Sequence, residues 1–125
     1  MIKNCEEFYK FILNNLTGGL VSIDIKGNVV YMNPMAYKIL HIESSNKVLD
    51  MPYTKSFENF EALSKVIKET IETGKTMCRA EISIMHANVP LIIGYSTMMI
   101  KNTKGADLGI AVIFQDISFV SAVKK

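Results

Sequence analysis

The sequence predicts one α+β domain, in which helices cover one face of a five-stranded antiparallel sheet. Two short strand segments come first, helical segments follow, and three longer strand segments close the chain. The length of 125 residues suits a single hydrophobic core. A hydrophobic share of 49% with a charged share of 21% is typical of an ordinary globular protein.

The first segment predicts an amphipathic helix over residues 1–17. Apolar side chains recur at helical spacing, and Gly18-Gly19 ends the helix because glycine tolerates a left-handed cap. The stripe is shorter than the roughly three or four heptads that a coiled coil needs. A helix that lies on its own domain and a dimer seam therefore both stay open. The stripe consists of Ile2, Cys5, Tyr9, Ile12 and Leu16.

A strand hairpin and two helices follow. Residues 20–24 and 28–32 are rich in β-branched and aromatic side chains, with a turn at 25–27. Asn33-Pro34 begins a short helix, since Asn is a good N-cap and Pro needs no donor at the first helical position. A longer helix is predicted from about Ser56 to Thr73.

The last part of the chain has the period-two alternation of half-buried strands. The same-face positions from Cys78 to Ile84 are apolar, so Cys78 is predicted to be a small buried hydrophobic residue. Residues 89–100 and 108–117 predict two further strands, joined by a hairpin turn at 102–106.

Charge, cysteine usage and hydropathy exclude several classes. The formal charge is +2 and Arg79 is the one arginine, so no direct nucleic-acid binding is expected. Cys5 and Cys78 lack metal-ligand or disulfide spacing, and no metal site is expected. No apolar run reaches the roughly 18 residues of a membrane span, and the acidic N-terminus is unlike a secretory signal. We therefore expect a cytoplasmic domain with no membrane contact in this segment.

Both ends of the sequence resemble the PAS domain family. The run from Ile12 to Asp24 and the run from Lys26 to Ala36, which includes Asn33-Pro34, are similar to the family's opening pattern of Gly, Asp, Gly and Asn. The hairpin residues Lys104-Gly105 and Leu108-Gly109 match the family's closing hairpin. Phe114-Gln115-Asp116-Ile117-Ser118 resembles the family's Asp-Ile-Thr exit, with Ser118 in place of threonine. The resemblance covers residues 10–118, nearly the whole chain.

This resemblance implies the PAS fold with an N-terminal amphipathic helix at 1–17, a PAS domain at 18–118 and the start of a linker at 119–125. PAS domains sense a small ligand or relay signals to an attached output, such as a bacterial histidine kinase of a two-component system or a transcription regulator. No phosphoacceptor-histidine helix or glycine-rich ATP box occurs here. We expect an input domain without enzymatic activity, a homodimer, with its covalently linked output domain missing from this chain. The alternative is a ligand-free dimerisation or protein-interaction module.

Under this resemblance, a ligand pocket is expected between the sheet and the helices. The pocket candidates are apolar side chains with two tyrosines that supply polar groups, and simple filling of the core is the alternative. They are Ile23, Tyr37, Ile39, Leu40, Leu63, Ile67, Ile82, Ile93, Tyr95, Val112 and Phe114. The predicted signal exit is Asp116, Ile117 and Ser118, and the N-terminal stripe is the predicted dimer helix.

Haem and flavin are both disfavoured as cofactors. Haem-binding members of the family use an axial histidine on the long helix, whereas His41 and His86 lie elsewhere. The light-sensing members need a reactive cysteine in an Asn-Cys-Arg-Phe-Leu-Gln-like helix, and no such run occurs. We expect no cofactor, and the identity of any small-molecule ligand stays open.

Overall fold

A computed structural model of the protein describes residues 17–43, 48–86 and 89–117. The strands in this part of the chain are β1 (Gly19–Asp24), β2 (Val29–Met32), β3 (Ala80–His86), β4 (Val89–Lys101) and β5 (Asp107–Asp116). The helices are α1 (Pro34–Ile39), α2 (Tyr53–Ser56) and α3 (Glu61–Thr73). Residues 1–16 of the predicted N-terminal helix, Ser118 and the predicted linker at 119–125 lie outside the described residues.

The strands form one antiparallel sheet in the order β2-β1-β5-β4-β3. The last strand, β5, lies at the centre and pairs with both β1 and β4. Helix α1 packs against β1 and β5, and α3 packs against β3 and β5. The predicted α+β class and five-stranded antiparallel sheet are therefore confirmed.

Local hydrogen bonds set the first hairpin and the first helix. The Asp24 side chain accepts from the backbone N–H groups of Lys26 and Asn28, both at 2.9 Å, and closes the predicted turn. The Asn33 side chain accepts from the backbone N–H of Ala36 at 2.9 Å, directly before Pro34. The predicted N-cap is confirmed.

The predicted helix over residues 56–73 is wrong at its beginning. The chain forms the short helix α2, leaves helical geometry at Phe57, and resumes as α3 at Glu61. Phe57 is fully buried, and its carbonyl accepts from the backbone N–H of Phe60 and from the Ser64 hydroxyl. This turn lets both phenylalanines reach the core. Gly74, in the left-handed conformation with φ 69°, ends α3.

The predicted strand through Cys78 is also wrong at its beginning. Cys78 is exposed, and β3 begins only at Ala80. The backbone N–H of Arg79 donates to the Ser96 hydroxyl at 3.0 Å, and Arg79 adopts a positive φ of 54°. Because a side chain of β4 captures this N–H group, the ordinary ladder does not extend to Cys78, and the thiol turns outward.

Candidate functional site

The predicted pocket residues lie in the hydrophobic core between the sheet and the helices. Nine are buried, and Tyr37 and Ile82 are partly buried and pack against that core. The buried ones are Ile23, Ile39, Leu40, Leu63, Ile67, Ile93, Tyr95, Val112 and Phe114. Whether these residues hold a ligand stays a prediction, because their packing equally suits a filled core.

A cavity of about 210 Å³ opens beside this core, at the carboxyl end of α3. We call it the α3 cavity. Its lining combines the last two turns of α3, the segment that follows Gly74, and Tyr95 of β4. The lining residues are Val66, Glu69, Thr70, Thr73, Lys75, Met77 and Tyr95. Tyr95 belongs both to the predicted pocket and to this cavity, whereas the sequence pattern did not indicate the other lining residues.

Tyr95 is 8% exposed and faces the helix side of the sheet. Burial raises the pKa of its hydroxyl above the ordinary value of 10.0, and the Glu69 carboxylate raises it further. No described residue bonds the Tyr95 hydroxyl, and none of the described residues has a buried side-chain oxygen without a partner, so this hydroxyl is not a buried unpaired group. The cavity therefore contains a neutral phenol that is free to donate or accept.

The rim of the cavity is tied to β4 by a buried threonine. The Thr97 hydroxyl accepts from the backbone N–H of Met77 at 2.7 Å, and the Thr97 N–H donates to the Met77 carbonyl at 2.9 Å. This pair fixes the segment between α3 and β3 two residues from Tyr95. No pattern in the sequence indicates it, because the two residues are 20 positions apart.

A second cavity, of about 300 Å³, lies beside the predicted signal exit. Ile117 follows β5, and its backbone N–H donates to the Ile92 carbonyl of β4 at 2.8 Å. Its side chain lies over Gly94, where an added Cβ would come within 3.3 Å of Ile117 Cδ1. Asp116 is exposed and pairs with Ile93 in the strand ladder. The exit chain is thus held to β4 by the Ile117 hydrogen bond and by the Ile117 side-chain contact, next to the end of the strand ladder.

Metal-ligating side chains are scattered across the described residues. No group of three His, Cys, Asp or Glu side chains lies close enough in this part of the chain to hold a metal ion. His41 is exposed and has a positive φ of 55°. In the same residues, no helix combines the length and apolar character needed to cross a bilayer.

Comparison with known proteins links the whole described domain to one family. The PAS domain family model matches residues 17–119. The chain is 32% identical over 107 residues to the signal transduction histidine-protein kinase AtoS of Escherichia coli. It is 28% identical over 109 residues to the cyclic di-GMP phosphodiesterase PdeB of Shewanella oneidensis. These alignments cover 86% and 87% of this chain, but 17% of AtoS and 13% of PdeB.

The fold is also shared with solved structures. The PAS domain of BvgS from Bordetella pertussis superposes with a TM-score of 0.72 at 14% sequence identity, covering 96% of this chain and 91% of that one. At this identity the likeness concerns the fold alone.

Proposed function

Because the chain belongs to the PAS domain family, we propose that it is the sensory input module of a larger signalling protein. The observation that carries this proposal is the match of the family model to residues 17–119. The alignment to a histidine kinase along 86% of the chain supports it. The chain spans less than a fifth of either curated relative. The output activity, which we propose to be a cytoplasmic histidine kinase or a related regulator, then belongs to covalently attached domains.

The exit segment supplies the route from sensor to output. The Ile117 side chain packs over Gly94 of β4, and its N–H donates to Ile92, so a shift of β4 changes how the chain leaves the sheet. A ligand acts on this equilibrium only if it binds one arrangement of β4 more tightly than the other. The domain itself fits a non-catalytic module that binds or relays, and we propose that it works without haem or flavin.

A fusion to a kinase tests the relay. Residues 1–125 replace the aligned segment of AtoS, and autophosphorylation of the fusion is measured. Ile117→Ala is expected to change the kinase rate because it removes the contact over Gly94. Leu108→Ala, at an exposed position near the beginning of β5, is the matched control and is expected to leave the rate unchanged. Equal rates for both variants would remove the exit segment from the relay.

A ligand-free relay module is the second candidate, and the burial of nine predicted pocket residues in the core is the observation that supports it. Native mass spectrometry of the purified 125-residue chain separates the two. A bound small-molecule mass supports the sensor, whereas a bare homodimer supports the relay module. A bare monomer contradicts the homodimer expected in both cases.

The predicted dimer helix has its own test. Ile12→Glu places a charge on the apolar stripe and is expected to abolish the dimer measured by sedimentation. Asn14→Glu adds the same charge off the stripe and is expected to leave the dimer intact. If Ile12→Glu also leaves it intact, the stripe is not the interface.

A further inference from the structure

The α3 cavity has the dimensions and the polar groups of a binding site for a small molecule. Its volume of about 210 Å³ equals the space of roughly seven water-sized groups, at about 30 Å³ each. Apolar side chains, Val66 and Met77, line part of it, and polar groups converge from α3 and β4. This combination is typical of sites for small ligands.

The Tyr95 hydroxyl is the group in this cavity that lacks a partner. The side chain is more than nine-tenths buried, at 8% exposure, and no described residue bonds its hydroxyl. No buried side-chain oxygen of the described residues lacks a partner, so the Tyr95 hydroxyl is not stranded in the core; it belongs to a residue that lines the cavity, and a phenol there favours a defined hydrogen-bond partner. A ligand in the α3 cavity would supply that partner.

The two threonines of the cavity present acceptors rather than donors. The Thr70 hydroxyl donates to the Val66 carbonyl at 2.8 Å, and the Thr73 hydroxyl donates to the Glu69 carbonyl at 2.6 Å. Each hydroxyl has one proton, and both protons are already used. The Thr73 oxygen also accepts from the backbone N–H of Lys75 at 3.1 Å, so it offers a ligand one remaining lone pair, whereas no described residue donates to the Thr70 oxygen.

The charges around the α3 cavity favour a cation inside it. The Glu69 carboxylate lines the cavity, and the carboxyl end of α3 carries the negative end of the helix dipole. Lys75 is the one basic residue in the lining, and it is exposed. A ligand's ammonium group would be held by Glu69 and the threonine oxygens, and Lys75 would meet a carboxylate on the outer part of the ligand.

We propose that the α3 cavity binds a small compound with a primary ammonium group, either a simple amine or an amino acid. This inference rests on the proposed sensory function and names the ligand class for it. The position also links binding to the exit segment. Tyr95 pairs with Phe114 of β5, two residues before Asp116, and Met77 is bonded to Thr97 of β4.

Three probes of equal carbon number test the ligand class on the full 125-residue chain. They are n-propylamine, which has only the ammonium group, propionate, which has only the carboxylate, and L-alanine, which has both. Titration is followed by amide chemical shifts in ¹⁵N–¹H spectra at millimolar concentrations. We expect propylamine and alanine to shift the amides of Thr73, Lys75 and Met77, and propionate to leave them unchanged.

The two sources of the ammonium group are distinguished by relative affinity. Tighter binding of alanine than of propylamine identifies an amino acid, with Lys75 on its carboxylate. Equal or weaker binding of alanine identifies a simple amine. Binding of propionate alone, or no shift with any probe, overturns the proposal.

Two substitutions separate binding from folding. Glu69→Gln removes the carboxylate charge of an exposed residue and is expected to weaken propylamine binding about three- to fivefold, as for a solvent-screened ion pair. Glu72→Gln makes the same change on an exposed position of α3 that is not in the cavity lining, and is expected to keep the affinity within about twofold. Equal affinities of the two variants would refute the assigned role of Glu69.

Absence of ligand binding in the α3 cavity can be told apart from failure of the proposed signalling function. If the kinase fusion responds to Ile117→Ala but none of the three probes binds, the proposed relay to an output domain holds and only the α3 cavity is excluded. If the fusion does not respond while propylamine binds, the cavity holds and the relay is excluded.

Discussion

Two polar clusters on the helix side of the sheet differ in how fully their hydrogen bonds are satisfied. At one end, the buried Asn33 side chain accepts from the Leu20 N–H at 2.8 Å and from the Ala36 N–H, and donates to the Gly18 carbonyl at 3.0 Å. It joins the beginning of β1 to α1. At the α3 cavity, the Tyr95 hydroxyl has no partner in the described part of the chain. Polar groups that all have hydrogen-bond partners, as around Asn33, stabilise the fold. A hydroxyl that no described residue bonds, as at Tyr95, can form a hydrogen bond with a ligand.

The largest effect is expected at the satisfied cluster. Asn33→Ala removes the partners of the Leu20 N–H and the Gly18 carbonyl, and it removes the N-cap of α1. We expect a loss of about 3–5 kcal/mol in the free energy of unfolding, measured by urea denaturation. Asn28→Ala, in the neighbouring turn and half-buried, is the control and should cost less than about 1 kcal/mol. Similar losses for both variants would show that the Asn33 cluster does not stabilise the fold.

This cluster also shows how far sequence alone predicts the molecule. Asn33-Pro34 predicts the helix cap because cap and helix are adjacent in the chain. The bonds from Asn33 to Leu20 and Gly18 span 13 and 15 residues, and no local pattern indicates them. β-Branched and aromatic composition predicts the first two strands, and the period-two pattern predicts strands in the last part of the chain, for the same reason: both are local properties.

The errors and omissions come from contacts that are distant in sequence. The strand through Cys78 was predicted from alternation, but Ser96 captures the Arg79 N–H from 17 residues away. The long helix was predicted without a break, but burial of Phe57 interrupts it. In the α3 cavity, Tyr95 is a predicted pocket residue, whereas no sequence pattern indicates Glu69 or Lys75. Only the packing of α3 against the sheet brings them close to Tyr95.

The tie between Met77 and Thr97 should give the next largest effect. Thr97→Val keeps the shape of the buried side chain but removes the hydroxyl that accepts from the Met77 N–H. We expect a loss of about 1–2 kcal/mol in unfolding free energy. Hydrogen exchange should become faster at the Met77 amide, while Thr97→Ser retains its protection. Unchanged exchange in Thr97→Val would mean that this bond does not hold the rim of the cavity.

High pH is expected to destabilise the fold. Burial raises the pKa of Tyr31, Tyr37, Tyr53 and Tyr95 above 10.0, with Glu72 adding to the effect at Tyr53 and Glu69 at Tyr95. Above about pH 10 the unfolded chain loses these protons first, so the unfolding free energy falls as the pH rises through the folded-state pKa values. Urea denaturation at a series of alkaline pH values measures the fall. Tyrosinate absorbance that titrates below 10.0 in the folded protein would contradict it.

The smallest effect on stability is expected from Tyr95→Phe at neutral pH. Removal of a hydroxyl that already lacks a partner breaks no described hydrogen bond, so the unfolding free energy should change by less than about 0.5 kcal/mol. The same variant should lose less stability than the wild type at high pH, because phenylalanine does not titrate. It should also bind propylamine more weakly, since the ligand loses the phenol as a partner. A loss of 1–2 kcal/mol or so at neutral pH would place the hydroxyl among the groups that hold the fold together, as Asn33 does. Weaker binding with unchanged stability would instead show that the two polar clusters have separate roles, one in folding and the other in recognition.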